Sequence, residues 1–313
     1  MFKRIRIVVV FSLLAATLLG GYLSPAAARQ ATTFDQRDHP IFVIASYYDA
    51  INQRDYARAY GYWRNQPPNG DTLQQFAQGF ADLQSVRVLA HLPVGGGVAA
   101  GTGHADVPVI VIASLLNGTE QIYAGCFRSA TFNVPVGNPP VIDPNWYLSE
   151  ADLQLTLTVD FAQAINTCSL KSAFPTGNEY GNQQTPVDLV SSYYDAIASA
   201  DYVRAYNYWS GGPPGQTLQQ FIQGFAGTNN IDVWLPLTFQ PGVAAGSIYF
   251  DMKIVLTATS YGVPQFFRGC LAARKSGDAA IPPDPNWYFH RANLTATATL
   301  GDAVAQAWNE CEW

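Results

Sequence analysis

Tyr47-Tyr48-Asp49-Ala50-Ile51, continued by Asp55-Tyr56 and Arg58-Ala59-Tyr60 and closed by Tyr62-Trp63, is the stretch on which the reading of this chain turns. Ile44, Tyr47, Tyr48 and Ile51 stand at i, i+3, i+4 and i+7, the spacing that gathers side chains on one helical face. Asp55 then offers an N-cap for a second helix, in which Tyr56, Ala59, Tyr60 and Trp63 repeat the spacing. The whole stretch returns from Tyr193 to Trp209, and Tyr47 with Tyr193, Asp55 with Asp201 and Trp63 with Trp209 are each 146 positions apart.

The duplication extends well beyond these helices. Thr72-Leu73-Gln74-Gln75-Phe76 recurs as Thr217-Leu218-Gln219-Gln220-Phe221, Gly97-Val98-Ala99-Ala100-Gly101 as Gly242-Val243-Ala244-Ala245-Gly246, and Asp143-Pro144-Asn145-Trp146-Tyr147 as Asp284-Pro285-Asn286-Trp287-Tyr288. A solenoid repeat runs to about 20–50 residues and needs stacked neighbours, so a repeat of this length implies two complete domains in tandem, 40–168 and 186–313. Residues 29–39 are polar and aperiodic and read as a flexible leader. Residues 169–185, with Pro175, Gly177 and Gly181, read as a linker.

Ahead of the leader, Lys3, Arg4 and Arg6, an apolar run from Ile7 to Leu19, and Ala26-Ala27-Ala28 have the order of a secretory signal peptide over 1–28. The run is shorter than the roughly 20 residues of a spanning helix, so no membrane span is expected after cleavage. Removing three of the 17 basic residues leaves 14 against 23 acidic ones. That balance excludes nucleic acid as a partner, because phosphate backbones are held by clustered Lys and Arg. Secretion also fits the four cysteines. Of their three pairings, only Cys126 with Cys168 and Cys270 with Cys311 closes each copy on itself. No close ligand pair such as C-x-x-C is present, so neither a metal nor a cofactor is expected.

After Pro67, Pro68 and Gly70, Thr72 and Gln75 form a capping box for a third helix with Leu73, Phe76 and Phe80 inward. From Val86 the pattern becomes strand-like, with candidates Val86 to Leu92, His104 to Leu115, Gln121 to Phe132 and Trp146 to Val159, and a hairpin turn at Asn117-Gly118. Periodicity leaves Phe161 to Thr167 open between strand and helix. Gly95-Gly96-Gly97 opens no helix and reads as a turn. Helices first and strands afterwards is an α+β arrangement. Tyr-Tyr-Asp-Ala-Ile with Asp-Tyr-x-x-Ala-Tyr, then Thr-Leu-Gln-Gln-Phe and a sheet ending near Asn-Trp-Tyr, resembles the secreted NTF2-like domains of bacterial envelope proteins. More distantly it resembles SnoaL and ketosteroid isomerase enzymes. The resemblance implies two tandem cone-shaped domains, each with three N-terminal helices packed on a curved antiparallel sheet.

Such a fold hosts enzymes and binding modules alike. The isomerase branch needs a carboxylate base and donors for an oxyanion. Tyrosines stand at suitable places, but the repeated acids each have a plainer role. Asp49 and Asp195 are expected as helix-face carboxylates with a local salt bridge or water, pointing toward the rim or solvent, Asp55 and Asp201 as caps, and Asp106 and Asp251 as solvent-facing or edge-strand residues. The residues nominated for ligand contact are Tyr48, Tyr60, Trp63, Tyr194, Tyr206 and Trp209, none of them catalytic, although the tryptophans also suit a core. Arg58 and Arg204 suit an anion or a stem laid on aromatic surface. The four histidines form no metal spacing. The sequence therefore points to an exported or cell-surface, non-catalytic module for a small apolar ligand, a peptide or an envelope component. A small-molecule isomerase or dehydratase and a structural surface protein are the alternatives.

Overall fold

The computed structural model describes residues 33–65, 67, 69–99, 102–136, 141–171, 181–277 and 285–311. The signal-peptide reading, most of the linker, Gly101 and Asp284 lie outside them. In the first copy the chain runs α1 (Pro40–Asn52), α2 (Tyr56–Tyr60), α3 (Leu73–Gln78), β1 (Leu83–His91), β2 (Gly95–Ala99), β3 (Thr102–Leu115), β4 (Glu120–Val136), β5 (Val141–Thr156) and α4 (Phe161–Lys171). The second copy repeats this order as α5 (Pro186–Ala198), α6 (Tyr202–Asn207), α7 (Leu218–Phe225), β6 (Thr228–Pro236), β7 (Gln240–Ala244), β8 (Ser247–Ser260), β9 (Val263–Ser276), β10 (Tyr288–Thr297) and α8 (Leu300–Ala307). The class is α+β. Among the described residues no helix is long and apolar enough to cross a membrane.

Local chemistry sets the helix starts. The Asp55 and Asp201 carboxylates accept from the backbone N–H of Arg58 and Arg204 at 3.1 and 3.2 Å. Thr72 with Gln75 and Thr217 with Gln220 form reciprocal capping boxes. At α1 the cap is His39, whose Nδ1 accepts from the Ile41 N–H at 3.1 Å. The stretch left open between strand and helix is α4, begun at Phe161.

All ten strands join one antiparallel sheet in the order β10-β9-β8-β6-β1-β3-β4-β5, with β2 and β7 paired to β3 and β8. The order is a palindrome in which each half is one copy. At its centre β1 meets β6 through Leu89↔Pro236, Ala90↔Leu235 and His91↔Trp234. Ala90 and Leu235 are repeat equivalents, so a pseudo-twofold axis passes between them. The flanking hydrogen bonds obey it: Leu92 N–H donates to the Val233 carbonyl at 3.3 Å, and Leu237 N–H to the Val88 carbonyl at 2.9 Å. The copies thus meet as an isologous dimer does, inside a single chain.

Alternation along the strands sends side chains to two faces. One face, with Val88, Ala90, Val107, Val109, Val111 and Phe127 and their counterparts, packs under the helices of the repeated aromatic stretch. The other, with Leu89, Ile110, Ile112, Ala124, Trp234 and Val255, is covered by α4 and α8. The disulfide Cys126–Cys168 ties α4 to β4, and Cys270–Cys311 ties the chain just past α8 to β9. Phe161 of α4 crosses the seam to stack on Trp234 with ring centroids 3.9 Å apart. Across the same seam Phe34, Phe42, Phe239 and Phe250 form one aromatic cluster, with centroid distances of 5.3 to 6.4 Å. Phe34 lies within the stretch read as a leader. Burial of each ring contributes about 1.5–3 kcal/mol.

Two strand readings are corrected. Gly95-Gly96-Gly97 is not a turn but the start of β2, paired to β3 through Gly96↔Ala105 and Gly97↔His104. A Cβ on Gly96 would lie 2.6 Å from the His104 carbonyl oxygen, so glycine permits this close pairing. Asp106 does not face solvent: it is 3% exposed and ion-paired to Arg128 at 2.8 Å. It sits mid-sheet, between Gly95 of β2 and Arg128 of β4, on a strand with no open edge.

Candidate functional site

Between α1, the chain following α3, and the inner face of the first copy's sheet lies a cavity of about 390 Å³. Tyr48 and Ile51 form its helical side, Val86, Val111, Ala113 and Leu153 its sheet wall, and Phe80, Asp82, Leu83, Leu115 and Gln121 complete the ring. Strand register explains the assembly: Tyr123 lies opposite Val111, and Gln121 opposite Ala113, so one face of β3 and β4 supplies alternate residues to the same hollow. The wall is apolar, with polar atoms at a few points. The Tyr123 hydroxyl donates to Gln121 Oε1 at 2.7 Å. Burial, then the neighbouring Tyr47 and Tyr123, push the Tyr48 hydroxyl well above its ordinary pKa, so it remains a neutral hydrogen-bond donor. Asp82, the one carboxylate of the lining, is exposed at the rim.

Of the residues nominated from sequence, Tyr48 lines this cavity. The others are placed elsewhere. Tyr60 packs edge-on against Phe76 and donates to the Asp71 carbonyl at 2.9 Å. Trp63 is buried against Tyr47 and Phe127, and Trp209 against Tyr193 and Phe289. Each indole N–H turns toward the hydroxyl of Tyr47 or Tyr193 but falls short of hydrogen-bond geometry. Tyr194 is buried beside Tyr193. Tyr206 donates to the Gln216 carbonyl at 3.1 Å. The strand from His104 to Leu115 was visible in the sequence, but its apolar run does not show which of its residues face the cavity.

The repeated acids do structural work. The local salt bridge expected for Asp49 and Asp195 is present, though both are more enclosed than a solvent-facing carboxylate: Asp49, 23% exposed, pairs with Arg58 Nη2 at 2.8 Å, and Asp195, 16% exposed, with Arg204 at 2.7 Å. Asp49 also accepts from Gln53 at 2.9 Å. Burial pulls the Arg58 pKa down, yet hydrogen bonds to Asp49 and Tyr62 outweigh it and the net shift is upward. Tyr62, buried and donating to Asp35 at 2.7 Å, is raised to about 12. These networks clamp α2 to α1 and leave neither aspartate as a base for a ligand. Among the described residues no group of three His, Cys, Asp or Glu side chains could hold a metal ion. No protein-family model, curated protein or solved structure matches the chain.

Proposed function

We propose that this is an exported binding protein built from two NTF2-like modules, in which the first copy takes up a small, mainly apolar molecule and performs no chemistry on it. The cavity beneath Tyr48 carries this reading. About 390 Å³ lies within the range of small-molecule sites, which are apolar with a few oriented polar groups. Tyr48 and Gln121 would orient a hydroxyl or carbonyl on the ligand. Catalysis of the isomerase kind calls for a carboxylate within reach of the substrate, and the Asp49 carboxylate is committed to Arg58. The helices-then-sheet order supports the NTF2-like assignment, and two disulfides support an oxidising, extracytoplasmic setting.

The test is binding of N-phenyl-1-naphthylamine, a neutral apolar fluorophore, to the full chain and to Ala113→Phe, which fills the cavity from β3. Native mass spectrometry of protein from its source runs alongside. Enhanced fluorescence that is lost in Ala113→Phe, with a retained small molecule in the wild type, is expected. Fluorescence unchanged by the substitution would reject the site.

A further inference from the structure

We infer that the ligand of this cavity is an unbranched aliphatic chain, entering end first and trailing along leucines at the end of β5 and just past it; this rests on the binding reading above. Leu153 lines the cavity. Leu155 is two residues further along the same sheet face and lies directly opposite Tyr123, another lining residue. Leu157 follows one residue past the end of β5 at Thr156. From Leu153 to Leu155 the cavity wall continues outward for about 7 Å at the ordinary rise of a strand, and Leu157 lies just beyond it. Both outer leucines are uncovered: Leu155 is 64% and Leu157 99% exposed. Leu116, 62% exposed, stands at the same mouth, its N–H held by the carbonyl of the lining residue Asp82 at 2.9 Å.

The second copy supplies an internal comparison. The equivalents of Leu155, Leu157, Leu115 and Leu83 are Ala296, Ala298, Ser260 and Thr228, and Phe267 replaces Tyr123. The cysteines, the Asp and Thr caps of the second and third helices and most core aromatics are kept between the copies, while these four leucines are not; the second copy exposes Tyr261, Val263 and Leu294 instead. Exposed leucines do not contribute to folding in proportion to their size, since they leave little apolar surface buried. Leu155, Leu157 and Leu116 stand exposed together beside the cavity, an arrangement that fits a long apolar ligand better than a compact one.

The experiment is displacement of N-phenyl-1-naphthylamine from the full chain by hexanol, octanol, decanol and dodecanol, with wild type and with Leu155→Ser/Leu157→Ser. Affinity should rise about fourfold per added methylene in the wild type. The double variant should bind the fluorophore and hexanol unchanged but lose about tenfold or more for dodecanol. A fluorophore that binds with no dependence on alcohol length, or a variant indistinguishable from wild type, overturns the chain inference and leaves the binding reading intact. No fluorophore binding at all removes both. Length-independent displacement together with leucine-dependent sedimentation on neutral phosphatidylcholine vesicles would assign these leucines to a membrane surface and overturn the inference.

Discussion

Asp49 and Asp195 stand beside the aromatic stripe, where a base would be sought, yet each is held by an arginine nine residues along the chain. Asp49→Asn and Asp195→Asn should each cost about 1–3 kcal/mol, as for a hydrogen bond to a charged group, measured by urea denaturation, and leave fluorophore binding in place. Loss of binding at unchanged stability would return the aspartate to the site. His39 gives a pH dependence. Its burial lowers its pKa, with Asp188 and Asp38 pulling the other way, so the folded value lies below the unfolded one near 6.5. The stability it contributes is complete above about pH 6.5 and is lost as pH falls through the folded value. His104 and His290 are also lowered by burial, with nearby arginines adding to the effect. His39→Asn, which keeps a capping acceptor, should therefore flatten but not abolish the fall in denaturation midpoint between about pH 7 and pH 5. An unchanged slope would show that His39 does not titrate in folding.

Among the elements, the first two helices of each copy were legible because caps and i, i+3, i+4 spacing are local properties. Trp63 illustrates their packing: it sits on Tyr47 and Phe127, and its neighbours join β5, Leu148 N–H donating to the Tyr62 carbonyl at 2.9 Å and Arg64 N–H to the Leu148 carbonyl at 3.0 Å. Trp63→Ala should cost about 3–5 kcal/mol by calorimetry; unaltered stability with altered binding would make it a ligand contact instead. The stretch from Phe161 was not legible as helix, since its apolar residues pack on the sheet face opposite the other helices, against Trp234 of the distant copy. Its disulfide closes a loop of 42 residues, worth about 4 kcal/mol in the chain-entropy account. Cys126→Ala/Cys168→Ala should lose about that much. A loss below about 1 kcal/mol would mean that strain in the bonded native state or residual structure in the unfolded chain offsets the loop-closure term.

At the scale of the molecule the copies are joined through backbone as well as side chains, so residues 33–313 form one compact unit. Ala90 and Leu235 are fully buried at the pseudo-twofold centre. Ala90→Asp would place a carboxylate there without a partner, at a cost of several kcal/mol. The wild type should unfold in a single calorimetric transition and Ala90→Asp in two; two transitions in the wild type would show that the seam does not couple the copies. Duplication, the first three helices of each copy, the caps at Asp55, Asp201 and Thr72, the main strands and the cysteine pairing were determined by the sequence, because each rests on spacing or on equivalence between the copies. The burial of Asp106, the strand at Gly95, the shared sheet, the placement of α4 and the cavity beneath Tyr48 were decided only in three dimensions. Each depends on which strand lies beside which, and on what covers a face. Those choices are made by contacts such as Phe161 with Trp234, between residues far apart in the chain, for which no local pattern is required.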